Sequence, residues 1–140
     1  ILVTRVIRTK QGQAKNFMIV DAAMTELVRP TLYGAHHDIG LVRQRDEELL
    51  TWDVVGPVCE SGDFLGQARE LPELDPGALL AVFSAGAYGA VLGSSYNTRP
   101  AAPEVLVDGA AHDVVRRRPS YADMLAGEKI PDWLNSQNGQ

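Results

Sequence analysis

A chain of 140 residues has room for one domain with a real hydrophobic core. Its 45% hydrophobic and 22% charged content is ordinary globular composition rather than that of a disordered chain; a net charge of −5 excludes a basic footprint for nucleic acid over the chain as a whole. One cysteine excludes an internal disulfide and a multi-cysteine zinc site, and fits a reducing, cytoplasmic compartment.

The opening, Ile1 to Val6, has neither a signal peptide's charged start nor a methionine. It reads as the middle of a strand, so the chain is expected to be a piece of a longer protein. No apolar run is long enough to cross a membrane. Val3 to Arg8 alternates apolar and polar residues, and Phe17 to Val20 is β-rich; the polar, Gly-containing loop from Lys10 to Lys15 makes them a hairpin. Asp21 to Val28 suits one or two helical turns, with Pro30 interrupting or ending them.

His37–Val42 and Thr51–Val58 are further strand candidates, separated by a charged turn from Arg43 to Glu48. Phe64–Pro76 is polar and proline-punctuated and is read as a surface loop, whereas Leu79–Phe83 is continuously apolar, as a buried strand is. Small residues from Gly86 to Ser94 suit the start of a closely packed helix. Glu104–Val107 and Asp113–Arg117 flank Asp108-Gly109, a hairpin signal. Ser120-Tyr-Ala-Asp123 reads as an N-cap leading into a short helix. Many short strands with few helical patterns predict a mainly β chain, a barrel or sandwich carrying small helices.

Cys59 sits in turn-forming sequence, Gly56-Pro-Val-Cys-Glu-Ser-Gly-Asp63, beside the carboxylate of Glu60. A nucleophilic cysteine wants positive surroundings; a neighbouring carboxylate keeps the proton on sulfur, which suits a proton donor better. The plainer reading is a buried thiol at a strand end. Arg29 and Tyr33, four residues apart, would face one site on a helical path and grip a carboxylate; an exposed Arg with a packed Tyr is an equal alternative. His36 and His37 point to opposite faces of a strand, so no metal is expected there. Tyr88, among small residues, suits a phosphate. Arg116 to Arg118 reads as a solvated strand end.

The order of these elements carries more than any one of them. Phe17-Met-Ile-Val-Asp-Ala-Ala-Met24, Arg29-Pro-Thr-Leu-Tyr33-Gly-Ala-His-His37, Gly56-Pro-Val-Cys59-Glu-Ser-Gly-Asp63, Ser84-Ala-Gly-Ala-Tyr88-Gly-Ala90 and Ser95-Tyr-Asn-Thr-Arg-Pro100 follow one another. Together they resemble the C-terminal part of the diaminopimelate decarboxylase family, over essentially the whole chain. The Cys-Glu-Ser-Gly-Asp and Arg-Pro-x-Leu-Tyr elements are the most specific.

The resemblance implies an enzyme that uses pyridoxal 5′-phosphate (PLP) to turn meso-2,6-diaminopimelate into L-lysine. It implies that residues 1–140 are a C-terminal β-domain following an N-terminal α/β barrel, and that the homodimer shares its active sites, the Cys-Glu loop entering the partner's. It implies Cys59 as proton donor after CO₂ leaves and Glu60 as the partner of the distal ammonium. Arg29 and Tyr33 would hold the distal carboxylate, and Tyr88 would contact substrate and cofactor phosphate. A strand or more of the β-domain comes from the N-terminus of the whole protein in this family, so the barrel here is expected to be incomplete. The chain has three lysines, Lys10, Lys15 and Lys129, none in a cofactor-like setting. The chain alone is therefore expected to be inactive. Two other readings are a sister decarboxylase of ornithine or arginine, and a non-catalytic dimerisation or regulatory β-domain.

Overall fold

The computed structural model describes residues 1–135. The chain divides into two compact units, Ile1–Arg99 and Pro100–Gln140.

In the first unit, the alternating opening forms β1 (Leu2–Lys10), which turns through the polar loop into β2 (Asn16–Val20). They pair antiparallel, with Val6 opposite Val20 and Lys10 opposite Phe17. α1 (Arg29–Tyr33) and β3 (Ile39–Leu41) follow, then β4 (Leu49–Val55), β5 (Phe64–Pro72) and β6 (Leu79–Val82). The sheet order is β3-β6-β1-β2-β4-β5. All its pairings are antiparallel except β2 with β4, which the long connection through α1 and β3 allows.

The sheet curls so that its end strands β3 and β5 approach one another. A methyl group added at Gly66 of β5 would lie 3.0 Å from Ile39 Cδ1 of β3. No ladder joins them, so the sheet is nearly a closed barrel with one unsealed seam. Its interior holds Val6, Met18, Val20, Leu27, Trp52, Val54, Leu65, Leu71, Leu80 and Val82. Trp52 is wholly buried, and its indole N–H donates to the Leu71 carbonyl at 2.9 Å. Each such large side chain contributes about 1.5–3 kcal/mol through burial.

Two expectations are corrected. Phe64–Pro76 is not a surface loop, because β5 occupies Phe64–Pro72. Its apolar anchors cluster at Leu65 and Leu71, and the polar stretch between them rides a bulge in the ladder with β4. There the N–H of Ala68, itself at φ +51°, donates to Asp53 Oδ1 at 2.8 Å. Pro72 needs no ladder N–H at the last position of an edge strand. Second, Pro30 opens a helix rather than ending one. The Asp21–Val28 stretch makes only a turn, with Leu27 N–H donating to Ala23 O at 3.2 Å. Pro30 then sits in the first turn of α1, where its missing N–H costs nothing.

The other elements follow the sequence: β6 is the buried apolar strand, and α2 (Ala87–Val91) is the small-residue helix. Gly89 of α2 lies against Leu27, where a Cβ would stand 3.3 Å from Leu27 Cδ1. In the second unit, β7 (Glu104–Asp108) and β8 (Ala111–Arg116) form the hairpin, with Gly109 at φ +56° in its turn. α3 (Tyr121–Leu125) opens with a full capping box between Ser120 and Asp123, and α4 (Asp132–Asn135) follows. No described helix is long and apolar enough to cross a membrane.

Candidate functional site

The connection between β4 and β5 is the Cys59 loop, and its shape is set by Asp63. That side chain is buried, and its two oxygens accept from Val58 N–H at 2.6 Å and Met24 N–H at 2.7 Å. Main-chain bonds close the loop: Gly56 N–H to Asp63 O at 3.0 Å, and Asp63 N–H to Glu60 O at 3.0 Å. A Cβ at Gly56 would run into the Asp63 carboxylate, so only glycine leaves room for the clamp. Val58 points inward, while Cys59 and Glu60 are exposed. The buried-thiol reading of Cys59 is thereby excluded for this chain.

The same clamp ties the loop to the stretch leading into α1. Met24 is one anchor, and the Thr31 hydroxyl donates to the Gly62 carbonyl as the other. Gly62 has to be small here, because a Cβ would meet the Thr31 methyl. Glu60 and Thr31 share a cavity of about 450 Å³ with Met24, Val28, Gly62 and Tyr96.

Arg29 and Tyr33 lie four residues apart on α1, hence on one face; Thr31 is roughly 200° around from Arg29. The cavity beside Glu60 therefore belongs to the opposite side of the helix, and neither Arg29 nor Tyr33 lines it. Tyr33 is 64% exposed, which removes the packed-Tyr alternative, and Arg29 is half-buried. Among the described residues no carboxylate pairs with Arg29; its guanidinium meets His37 Nε2 at 3.5 Å.

His36 and His37 do point apart. His36 is exposed between Arg69 and Asp38, while His37 is buried with Nδ1 2.9 Å from the Phe83 carbonyl. Among the described residues no cluster suits a metal ion. Tyr88 stands on α2, 67% exposed, with open space over Gly86 beside it. α2 is too short to present a helix-terminus phosphate site, so the phenol and the open glycine backbone are what this segment offers.

A polar lattice pins the segment after α2 onto the Asp21–Val28 turn. Arg99 donates to Thr25 Oγ1 at 3.2 Å and to Asp21 O at 2.7 Å, and lies 3.6 Å from Glu26. Thr25 Oγ1 in turn donates to Glu26 at 2.9 Å. Ser94 N–H also donates to Thr25 O at 3.0 Å, and between these anchors Asn97 and Thr98 both hold positive φ, +55° and +56°. That costs about 1–3 kcal/mol per residue in the segment whose Tyr96 lines the cavity.

Away from this face, Asp53 is clamped by Lys15 Nζ at 2.7 Å and by the Ala68 N–H. Burial pushes its carboxyl up, but these hydrogen bonds and the Lys15 charge outweigh burial and hold it below the ordinary aspartate value. The arginine run, read as solvated, is exposed but partnered. Arg116 meets Glu104 at 2.7 Å, Arg117 grips Asp123 with both terminal nitrogens, and Arg118 donates to Pro100 O at 3.1 Å. The Asp123 carboxyl lies far below its ordinary range through the Arg117 and Ser120 bonds.

The structure thus sets Cys59 and Glu60 on one rigid loop, Arg29 and Tyr33 on one helix face, and Tyr88 on a third element. Sequence reasoning gave no role to Asp63 or His37. Asp63 stood inside the quoted motif, and a Gly-Asp pair before a strand was the available signal. His37 finds its partner 46 residues away, which no local pattern announces.

Residues 1–86 match the family described as pyridoxal-dependent decarboxylase, C-terminal sheet domain. The diaminopimelate decarboxylase of Archaeoglobus fulgidus is 47% identical over 137 residues, 96% of this chain and 32% of that protein. That of Pseudomonas fluorescens is 52% identical over 130 residues, 93% of this chain and 31% of that protein. The crystal structure of diaminopimelate decarboxylase from Helicobacter pylori, complexed with L-lysine, superposes with a TM-score of 0.83 at 37% identity, covering 98% of this chain and 32% of that one. The chain therefore spans about a third of the length of the relatives it matches.

Proposed function

The chain belongs to the pyridoxal-dependent decarboxylase family through its C-terminal sheet domain, and from that premise we propose that it completes the active site of a diaminopimelate decarboxylase. The observation that carries the reading is the Cys59 loop. It is exposed, yet locked from beneath by Asp63, so that two reactive side chains are held out on a fixed frame.

The residues present fit PLP only as an outer edge of its site. All three lysines are exposed, and Lys15 is engaged by Asp53, so none offers the dry amine that a Schiff base requires. Tyr88, beside open glycine backbone, suits a contact with the phosphate. The lysine belongs to the further domain implied by the length of the relatives, proposed to be an α/β barrel. When bound, the cofactor supplies the electron sink for cleaving the bond to the departing carboxylate.

Cys59 Sγ then delivers a proton to the carbon that has lost CO₂. Glu60 faces the ammonium at the far end of the substrate, and Arg29 with Tyr33 holds the carboxylate there. A meso-diaminopimelate substrate carries both charges at that end, which ornithine and arginine do not. Arg29 has no carboxylate of its own in the described residues, so its charge is left for a ligand. Because the Glu60 cavity and the Arg29–Tyr33 face lie on different sides of α1, one chain's loop is taken to serve the partner subunit's site in a homodimer. A cytoplasmic location goes with this reading, as the lone free thiol suits a reducing compartment.

The test is a rate comparison in the full-length enzyme. Diaminopimelate should be converted to L-lysine, with ornithine and arginine poor substrates. Faster turnover of either would transfer the reading to a sister decarboxylase, and no turnover of any would favour a non-catalytic domain. Cys59→Ala should keep the cofactor's absorbance while kcat falls about 10²-fold or more. Unchanged kcat would remove Cys59 from the chemistry.

A further inference from the structure

We infer that buried His37 is a positioning residue that aims the Arg29 guanidinium, an inference that rests on reading Arg29 as the carboxylate-binding group. The imidazole is fully specified by its two neighbours. The Phe83 carbonyl can only accept, so Nδ1, 2.9 Å away, carries the hydrogen. The Arg29 guanidinium can only donate, so Nε2, at 3.5 Å, presents its lone pair. His37 is 1% exposed, so the ring itself is held inside the fold while each contact reaches out to a partly exposed partner.

Arg29 opens α1 beside Pro30, where the backbone direction is fixed and the side chain is otherwise free to sweep. A long Arg side chain carries about 2 kcal/mol of rotamer entropy. A single acceptor from beneath, on a ring that β6's end holds in place, restricts that sweep. It takes one of five guanidinium N–H groups and leaves the rest for a bidentate carboxylate. Phe83 directly follows β6, the strand that pairs with β1 and β3, and its N–H donates to Asp38 O at 2.8 Å, so the aim of Arg29 is referred to the end of the sheet rather than to the short helix.

Two substitutions separate the two ends of the ring. His37→Asn can keep the donation to Phe83 but has no atom where Nε2 stood. His37→Gln can set an amide oxygen near the Nε2 position. In the full-length enzyme, H37N should raise KM for diaminopimelate about tenfold with kcat within about twofold, and H37Q should recover most of that loss. Arg29→Gln should raise KM by at least as much. In the R29Q background, H37N should then add nothing, since there is no guanidinium left to aim.

If R29Q raises KM while H37N does not, His37 has no positioning role and the reading of Arg29 stands. If H37N still acts in the R29Q background, or lowers kcat and thermal stability with KM unchanged, His37 is only structural. If R29Q leaves KM unchanged, the Arg29 reading fails and this inference with it. Should H37N not fold, ¹⁵N spectra of the histidine-labelled wild-type enzyme decide: a neutral ring protonated at Nδ1 supports the inference, and an Nε2-protonated ring overturns it.

Discussion

The two units spend their apolar residues in opposite ways. In Ile1–Arg99, Trp52, Met18, Leu65 and Leu80 are wholly buried inside the curled sheet. In the β7–β8 hairpin, Val105, Leu106, Val107, Val114 and Val115 are all exposed. The contacts seen in the second unit lie at its surface: the Gly109 turn, the Arg116–Glu104 pair across the hairpin and the Ser120–Asp123 box. Burial marks the first unit, whereas exposed hydrogen bonds and ion pairs mark the second. The candidate site stands on the first, where a loop can be braced by contacts distant in sequence.

The largest expected break in that contrast is Trp52→Ala. Removing a fully buried indole and its bond to Leu71 should cost the first unit about 3–5 kcal/mol, read as a lower urea midpoint for the chain. A change under about 1 kcal/mol would mean that the sheet interior is not what holds this unit together.

A smaller effect is expected on acidification. The Asp53 carboxyl is held below its unfolded value, so its contribution to stability is present above about pH 4 and lost as pH falls through the folded value. Asp53→Asn should flatten the acid limb of a stability–pH profile, and an unaltered limb would show that Lys15 and Ala68 do not favour the charged form. The smallest effect belongs to the hairpin. Leu106→Ser, at a 65% exposed position, should move the chain's stability by no more than about 0.5 kcal/mol. A loss of 2 kcal/mol or more would show that the strand faces are buried in solution after all.

This contrast also explains what could be read from the sequence. The hairpin at Asp108-Gly109 and the cap at Ser120 are legible because their partners lie within a few residues. β6 is legible because Leu79–Val82 is apolar without interruption. β5 is not, since its bulge puts the consecutive residues Gln67 and Ala68 outside and breaks the alternation that marks a strand. Pro30 misleads because the same residue stops a helix from within and starts one at its first turn. In the candidate site, Cys59, Glu60, Arg29, Tyr33 and Tyr88 can be picked out as candidates by residue type and motif order, and their proposed roles rest on the resemblance. Asp63, which braces the Cys59 loop, and His37, which lies between Phe83 and Arg29, make contacts that only the fold brings together.

The Asp63 clamp has a consequence for how this surface can change over evolutionary time. The bonds that shape the loop use its main-chain groups, the Asp63 side chain and, from α1, the Thr31 hydroxyl; none uses the side chains of Cys59, Glu60 or Ser61. Gly56 and Asp63 therefore act as a socket, and residues 59–61 as an exchangeable insert. Mutation can rewrite what the loop says to a ligand while leaving untouched the frame that pronounces it.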